Sequence, residues 1–286
     1  MSGVILVVGA TGNTGRALVR KLVKKGVAVR AVARGRVGLR SLQVTDFVEI
    51  DYSNPSSLDR AFREVEKVYL ALPLVAEMVT LTEMVVGAAK KAGVRHLVKL
   101  SGLAAGQPGR LQLGRWHRDA ERVVEASGMA WTHLRPNSFM QNFINHSLGS
   151  MKGRGLFHCP VGNGRVSYIN VEDIAATAAT VLTGTGHEGA VYTLTGPQAI
   201  SSYDVAETFS KHVGRTIRCV EISVDAARDA MFGFGLPVPV VDAVAELFRS
   251  MRDGELDMVT SGVEQLTGFS AQSFAQFAEE HVRLFR

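Results

Sequence analysis

An unbroken apolar run, Val4–Val8, opens the chain and leads into a glycine-rich turn, Gly9-Ala-Thr-Gly12-Asn-Thr-Gly15. Such a run predicts a strand buried on both faces. Leu18, Val19, Leu22 and Val23 then recur at three- and four-residue spacing, with Arg16, Arg20, Lys21, Lys24 and Lys25 on the opposite face. This pattern predicts an amphipathic helix, ended by Gly26. Residues 27–33 read as a second strand and 47–50 as a short third. Ser56 or Ser57 can cap a helix running to about residue 64. Residues 67–72 form a fourth strand stopped by Pro73, and 75–92 a long helix with Met78, Leu81, Val85, Ala88 and Ala89 on one face. Residues 96–100 are a fifth strand, 113–127 a helix and 131–134 a sixth strand.

This alternation predicts an α/β fold: a Rossmann-type, doubly wound parallel sheet with right-handed crossovers over residues 1–135. After Pro136 the rhythm breaks. Gly153, Gly155, Gly162 and Gly164 mark a loop-rich stretch, and strands are expected at 166–170 and 190–194. Ser201 or Ser202 caps a further helix, and the last 60 or so residues read as helical. A smaller, mostly helical substrate-binding domain is therefore expected over 136–286, interleaved with the first, with some segments returning to its sheet.

The opening turn carries the chemistry. Gly9 can take a positive φ, Gly12 lets backbone approach a pyrophosphate, and Gly15 allows close helix–strand packing. The free N–H groups at the helix start would face the anion, with the helix dipole behind them. At the end of strand two, an NAD site usually carries an acid for the ribose 2′-hydroxyl. Here the chain reads Ala33-Arg34-Gly35-Arg36. Two guanidinium groups suit a 2′-phosphate, so NADP(H) is the expected cofactor. Asp51 and Tyr52, after strand three, stand where adenine could find an acceptor.

No tyrosine is followed four residues later by lysine, so the usual Tyr-x-x-x-Lys carbonyl acid is absent. In the segment that should hold it, His117 and Glu121 share a helix face. Either Glu121 favours an imidazolium that acts as general acid, or the two are an ordinary surface pair.

The chain is long enough, at 286 residues, for a nucleotide domain and a lesser one, and 46% hydrophobic with 21% charged residues is ordinary for a soluble protein. No apolar run approaches the roughly 20 residues of a membrane span. The start lacks a basic leader region, and Cys159 and Cys219 are far apart, so a reducing, cytoplasmic setting is expected. The net charge of +5 is dispersed and no nucleic-acid module is visible. The histidines show no metal-ligand spacing. A homodimer is compatible with the chain, which carries no feature that decides it.

The glycine turn, Arg34, Asp51, the stretch Leu134-Arg-Pro-Asn-Ser-Phe-Met-Gln-Asn142, and residues 166–174 and 192–196 together resemble the NmrA-like branch of the atypical short-chain dehydrogenase/reductases. The likeness spans nearly the whole chain, and the spacing of the three glycines is usual in that group. The group includes NADPH-dependent quinone, triphenylmethane and phenylcoumaran-type ether reductases, together with NADP-binding sensors that catalyse nothing. The resemblance implies that Thr11, Gly12, Asn13 and Thr14 bind pyrophosphate and that Leu72 and Pro73 border the adenosine. Ser101, Gly102 and Leu103 would lie near the nicotinamide, with Pro136, Asn137 and Phe139 on its other side. Ser101 and His117 are the candidate catalytic residues. His117 stands where the ether reductases carry lysine, which argues against ether reduction.

Without a strong acid, the substrate should be a small conjugated, electron-poor acceptor that takes hydride directly, in an apolar pocket. Phe139, Met140, Phe143, Met231, Phe232, Phe234 and Leu236 are candidates, against plain core packing for each. Residues 232–239 mix glycine and proline with large apolar groups and suggest a shaped lid. A non-catalytic redox sensor working through a protein partner, or an NADP-dependent isomerase or epimerase, are the other readings.

Overall fold

Seven short runs rich in Val, Ile, Leu and Ala build the central sheet. They are β1 (Val4–Val8), β2 (Val29–Ala33), β3 (Phe47–Glu49), β4 (Val65–Leu70), β5 (His96–Leu100), β6 (Ala130–Pro136) and β9 (Ala190–Leu194), in the order β3-β2-β1-β4-β5-β6-β9. In this computed structural model the described residues are 3–35, 38, 40–42, 44–107 and 111–285. Every pairing from β3 through β6 is parallel. The strand order reverses about β1, which pairs with β2 on one side and β4 on the other. In such sheets the ligand crevice lies outside the carboxyl ends of the strands at that point. The fold is an α/β, Rossmann-like one.

The chain divides into two compact units. The first comprises Met1–Arg110, Gly114–Arg135 and Val171–Tyr192, the second Leu111–Leu113, Pro136–Asn170 and Thr193–Arg286. In the first, α1 (Asn13–Lys24) and α6 (Val171–Thr183) pack together, and Arg20 and Lys21 of α1 pair with Glu172 of α6. α2 (Pro55–Ala61), α3 (Met78–Lys91) and α4 (Gln112–Glu125) complete its helices. Leu6, Val32, Phe62, Val68, Val85 and Leu97 belong to one continuous apolar core.

The second unit holds two small sheets. β7 (Leu156–Cys159) pairs in parallel with β11 (Arg218–Glu221), and β8 (Arg165–Val166) antiparallel with β10 (Ile200–Ser201). Its helices are α5 (Gln141–Arg154), α7 (Ser202–Val213), α8 (Val224–Gly233), α9 (Val238–Arg252), α10 (Gly262–Thr267) and α11 (Phe274–Phe285).

Several boundaries differ from the sequence reading. Asn54 rather than Ser56 or Ser57 caps α2: its side chain accepts from Ser56 N–H, and Pro55 at the first helical position needs no donor partner. The Ser57 hydroxyl instead bonds back to Asp51 and Asn54. α3 begins at Met78, not at residue 75. The strand expected at 166–170 shrinks to two residues. Ser167 N–H turns to Leu256 O and Ile169 N–H to Ser138 O, so no single ladder forms. For α7, Ser201 is the cap, in a reciprocal pair with Asp204.

Candidate functional site

The turn after β1 is shaped by two of its glycines and left bare by the third. Gly9 has φ +80°, and a Cβ there would stand 2.3 Å from Ala71 O. A Cβ on Gly15 would stand 2.2 Å from Gly9 O. Neither position admits a side chain. Gly12 is different: its φ of −74° suits any residue, and a Cβ would meet only Gly9 O, at 3.3 Å. The space beyond it is open. Gly12 is also the N-cap of α1, with no side-chain cap and no acid in the first turn. Thr11 is half-buried, Asn13 exposed and Thr14 buried around this end. An uncapped helix start with a clear approach fits a pyrophosphate, because no side chain caps its N–H groups.

The first unit also holds a cleft of about 950 Å³ whose walls include Arg34, Val48, Asp51, Tyr52, Val75 and Leu81. Arg34 is exposed and pairs with no carboxylate among the described residues. Arg36 lies outside the described residues. The Asp51 carboxylate accepts from both the N–H and the hydroxyl of Ser53, at 2.9 and 2.6 Å. These bonds hold its carboxyl below the usual carboxylate range. Burial pushes the Tyr52 phenol up to about 12. Leu72 and Pro73 follow the carboxyl end of β4, both half-buried.

At the carboxyl end of β5 the structure corrects the histidine reading. His117 and Glu121 do face one side of α4, but Glu121 does not hold His117. The Glu121 carboxylate is fully buried and accepts from Arg135 Nε at 2.9 Å and Nη2 at 2.6 Å, and from Arg118 at 3.0 Å. Burial alone would push its carboxyl up; the Arg135 guanidinium and the Ser101 hydroxyl outweigh this and bring it down to about 2. His117 Nδ1 instead meets Lys99 Nζ, 3.4 Å away. Burial first, and the Lys99 ammonium next, push the imidazole down to about 3. Burial and the Lys99 ammonium both favour the neutral imidazole over the imidazolium expected from a Glu121 pair.

Ser101 is buried, its N–H donating to Leu134 O at 2.7 Å. Gly102 precedes a short 3-10 turn, Leu103–Gly106, and lies against the His117 ring.

Sequence reasoning missed Lys99, Arg118, His133 and Arg135. The available signal was a lysine in the middle of β5: a charge inside a sheet covered on both faces needs a partner. Glu121, Glu125 and His133 also converge, with ligand-type atoms within 4.8 Å of one another. Arg118 grips Glu125 at 2.5 and 3.1 Å and Arg135 grips Glu121, so the two negative charges are already matched. The cluster is held together as an ion-pair network.

In the second unit, Asn137 is committed to its own surroundings. Its Nδ2 donates to Ser167 and to Leu256 O, at 2.8 and 2.9 Å, and its Oδ1 accepts from Ser138 N–H. Pro136 is buried and Phe139 half-buried, bridged through its backbone to Ile169. Met140 and Phe143, expected on a pocket wall, are core residues at 1% and 9% exposure. Phe143 packs edge-on against Phe157, Tyr168, Phe209 and Phe274, so ring–ring contact uses up its surface. The expected lid is also corrected. Phe232 lies in the last turn of α8 beneath the Arg228 guanidinium, Val238 and Pro239 open α9, and only residues 234–237 lie between the two helices. Met231 is half-buried, whereas Leu236 is 38% and Phe234 83% exposed.

Comparison with known proteins gives a consistent picture. A NAD(P)H azoreductase of Xenophilus azovorans is 38% identical over 98% of this chain and 99% of its own. A (4-alkanoyl-5-oxo-2,5-dihydrofuran-3-yl)methyl phosphate reductase of Streptomyces griseus is 37% identical over 98% and 99%. Among solved structures, the NADPH complex of an Escherichia coli NADPH-dependent quinone oxidoreductase superposes with a TM-score of 0.85 at 27% identity, over 96% of this chain and 99% of that one. The sequence model of the NmrA-like family matches residues 1–279, and the chain belongs to that family.

Proposed function

We propose that this protein is an NADPH-dependent reductase that passes hydride to a quinone-like or other conjugated, electron-poor acceptor. It is an NAD(P)H-dependent oxidoreductase, as its reductase relatives are. The observation that carries the finer reading is that His117 meets the Lys99 ammonium and not the Glu121 carboxylate, an arrangement that favours a neutral imidazole where an acid would serve a simple carbonyl. An acceptor that delocalises the arriving charge needs a hydrogen-bond donor more than a strong acid. Bound NADPH would supply the hydride. Thr11, Gly12, Asn13 and Thr14 would hold its pyrophosphate, Arg34 its 2′-phosphate, and Ser101 and Gly102 would border the nicotinamide.

The test is loss of NADPH absorbance with a panel of quinones, azo dyes, triarylmethane dyes and enones. Turnover is expected with at least one class. Tight NADPH binding with no turnover of any acceptor would refute the reading and favour a sensor.

The cofactor assignment has its own test. Arg34→Ala should weaken NADPH binding by about 10- to 100-fold, the size of a lost charge-assisted contact to phosphate, and leave NADH binding nearly unchanged. Isothermal titration with both cofactors reads this. Equal losses for both would remove Arg34 from the 2′-phosphate site.

A further inference from the structure

Lys99 sits within β5 with 2% of its surface exposed. A buried ammonium is costly unless its donors are used. Its Nζ donates to Leu100 O at 3.2 Å and meets His117 Nδ1 at 3.4 Å. Glu121 is not its hydrogen-bond partner; that carboxylate accepts from Arg135 and Arg118. An ammonium has donors and no acceptor. The nitrogen that receives it must therefore be bare, and the ring proton of a neutral His117 must sit on Nε2.

The Nε2 edge of the ring faces Gly102. A Cβ at Gly102 would lie 3.2 Å from His117 Cδ2 and 3.4 Å from Nε2. Gly102 has φ −150° and ψ 155°, extended backbone that any residue adopts. The glycine is thus not required by conformation. What its missing side chain preserves is the space beside Nε2.

The geometry points to Lys99 as a positioning residue: its ammonium locks His117 as the Nε2–H tautomer and stands ready to replace the proton which that nitrogen gives away. The chemical half of this rests on the proposed function, in which His117 faces the acceptor; the tautomer half does not.

The proton accounting closes. An acceptor that has gained hydride carries one extra negative charge. His117 Nε2 gives it one proton, and Nδ1 takes one from Lys99 Nζ. The imidazole ends neutral as its other tautomer, the lysine ends as a neutral amine, and the reduced acceptor is neutral. Once product leaves, a proton from water enters at Nε2 and the Nδ1 proton returns to Nζ. The surroundings suit this traffic. Burial brings the Lys99 ammonium down to about 8, with Glu121 of α4 opposing the fall and Arg135 of β6 adding to it. His133 of β6 also feels the Lys99 charge. A donor poised near neutral pH hands over its proton readily.

Nitrogen-15 NMR of histidine-labelled protein, without cofactor, tests the tautomer. In the wild type His117 should show a protonated Nε2 and a bare Nδ1 from about pH 5 to 8. In Lys99→Met both tautomers should populate, and the ring should titrate closer to the ordinary histidine range. Lys99→Met should also lose about 100-fold or more in kcat, with the KM for NADPH unchanged. Lys99→Arg should restore the single tautomer yet stay slow, because guanidinium keeps its proton.

A wild-type His117 protonated on Nδ1, or a Lys99→Met spectrum identical to the wild type at His117, overturns the inference. The wild-type spectrum decides the tautomer even if neither variant folds. Acceptor turnover alongside an Nδ1–H tautomer would sink this inference and leave the proposed function standing. The Nε2–H tautomer with no turnover of any acceptor would do the reverse.

Discussion

Glu121→Gln should destabilise the protein by about 3 kcal/mol at pH 7, although it changes one atom and no shape. Glu121 is fully buried, and its carboxylate takes two bonds from Arg135 and one from Arg118. The amide removes the negative charge and turns one oxygen into a donor aimed at a guanidinium. Arg135, whose side chain is 16% exposed, is left facing a group that repels its own N–H bonds. Breaking a buried pair from one side costs about 3–5 kcal/mol; the lower end applies because Arg118 keeps Glu125 and Arg135 retains some access to water. Urea unfolding of both proteins measures the difference. A change within about 0.5 kcal/mol would mean the network carries no net weight.

Stability should fall by several kcal/mol as pH drops from about 6.5 to 4.5, before Glu121 takes a proton. His133 is fully buried and, mainly through burial, neutral down to about 4; His117 is neutral down to about 3. In the unfolded chain each takes a proton near 6.5. Below that pH the unfolded state binds more protons than the folded one, so stability falls as pH falls. Over the two pH units from 6.5 to 4.5 one such histidine contributes about 3 kcal/mol. The pair together should contribute about 3–5 kcal/mol, less than twice one, since both feel Lys99 and Glu121. Glu121 acts in the same sense lower down. Its carboxyl is held at about 2 against 4.5 unfolded, so its contribution is complete above 4.5 and is lost as pH falls toward 2. Urea unfolding at pH 7 and pH 4.5 tests this, with His117→Gln expected to flatten the difference. Equal unfolding free energies at the two pH values would show that these histidines are protonated in the folded protein.

The sequence by itself determined the fold and the shape of the glycine turn, because both are local. Apolar runs of five residues, helical spacing after Gly15 and the glycine turn are encoded within a few positions of one another, and each makes its own backbone do the work. Even the separate duties of Gly9, Gly12 and Gly15 follow from one turn and one helix start. Arg34 was legible for the same reason, since its place follows from where β2 ends. The chemistry at the end of β5 was not legible. His117 and Glu121 are neighbours on α4, and helical spacing alone pairs them, yet β6 brings in Arg135 to take the carboxylate and β5 brings in Lys99 to meet the imidazole. Met140 and Phe143 went the same way: an apolar side chain reads alike on a pocket wall and in a core, and only the tertiary packing decided which, for Phe143 through ring partners from β7, α7 and α11. Local pattern sets where backbone goes. The protonation state of a side chain depends on charges and burial supplied by elements distant in sequence, so only the tertiary structure could make His117 neutral and give Lys99 its role.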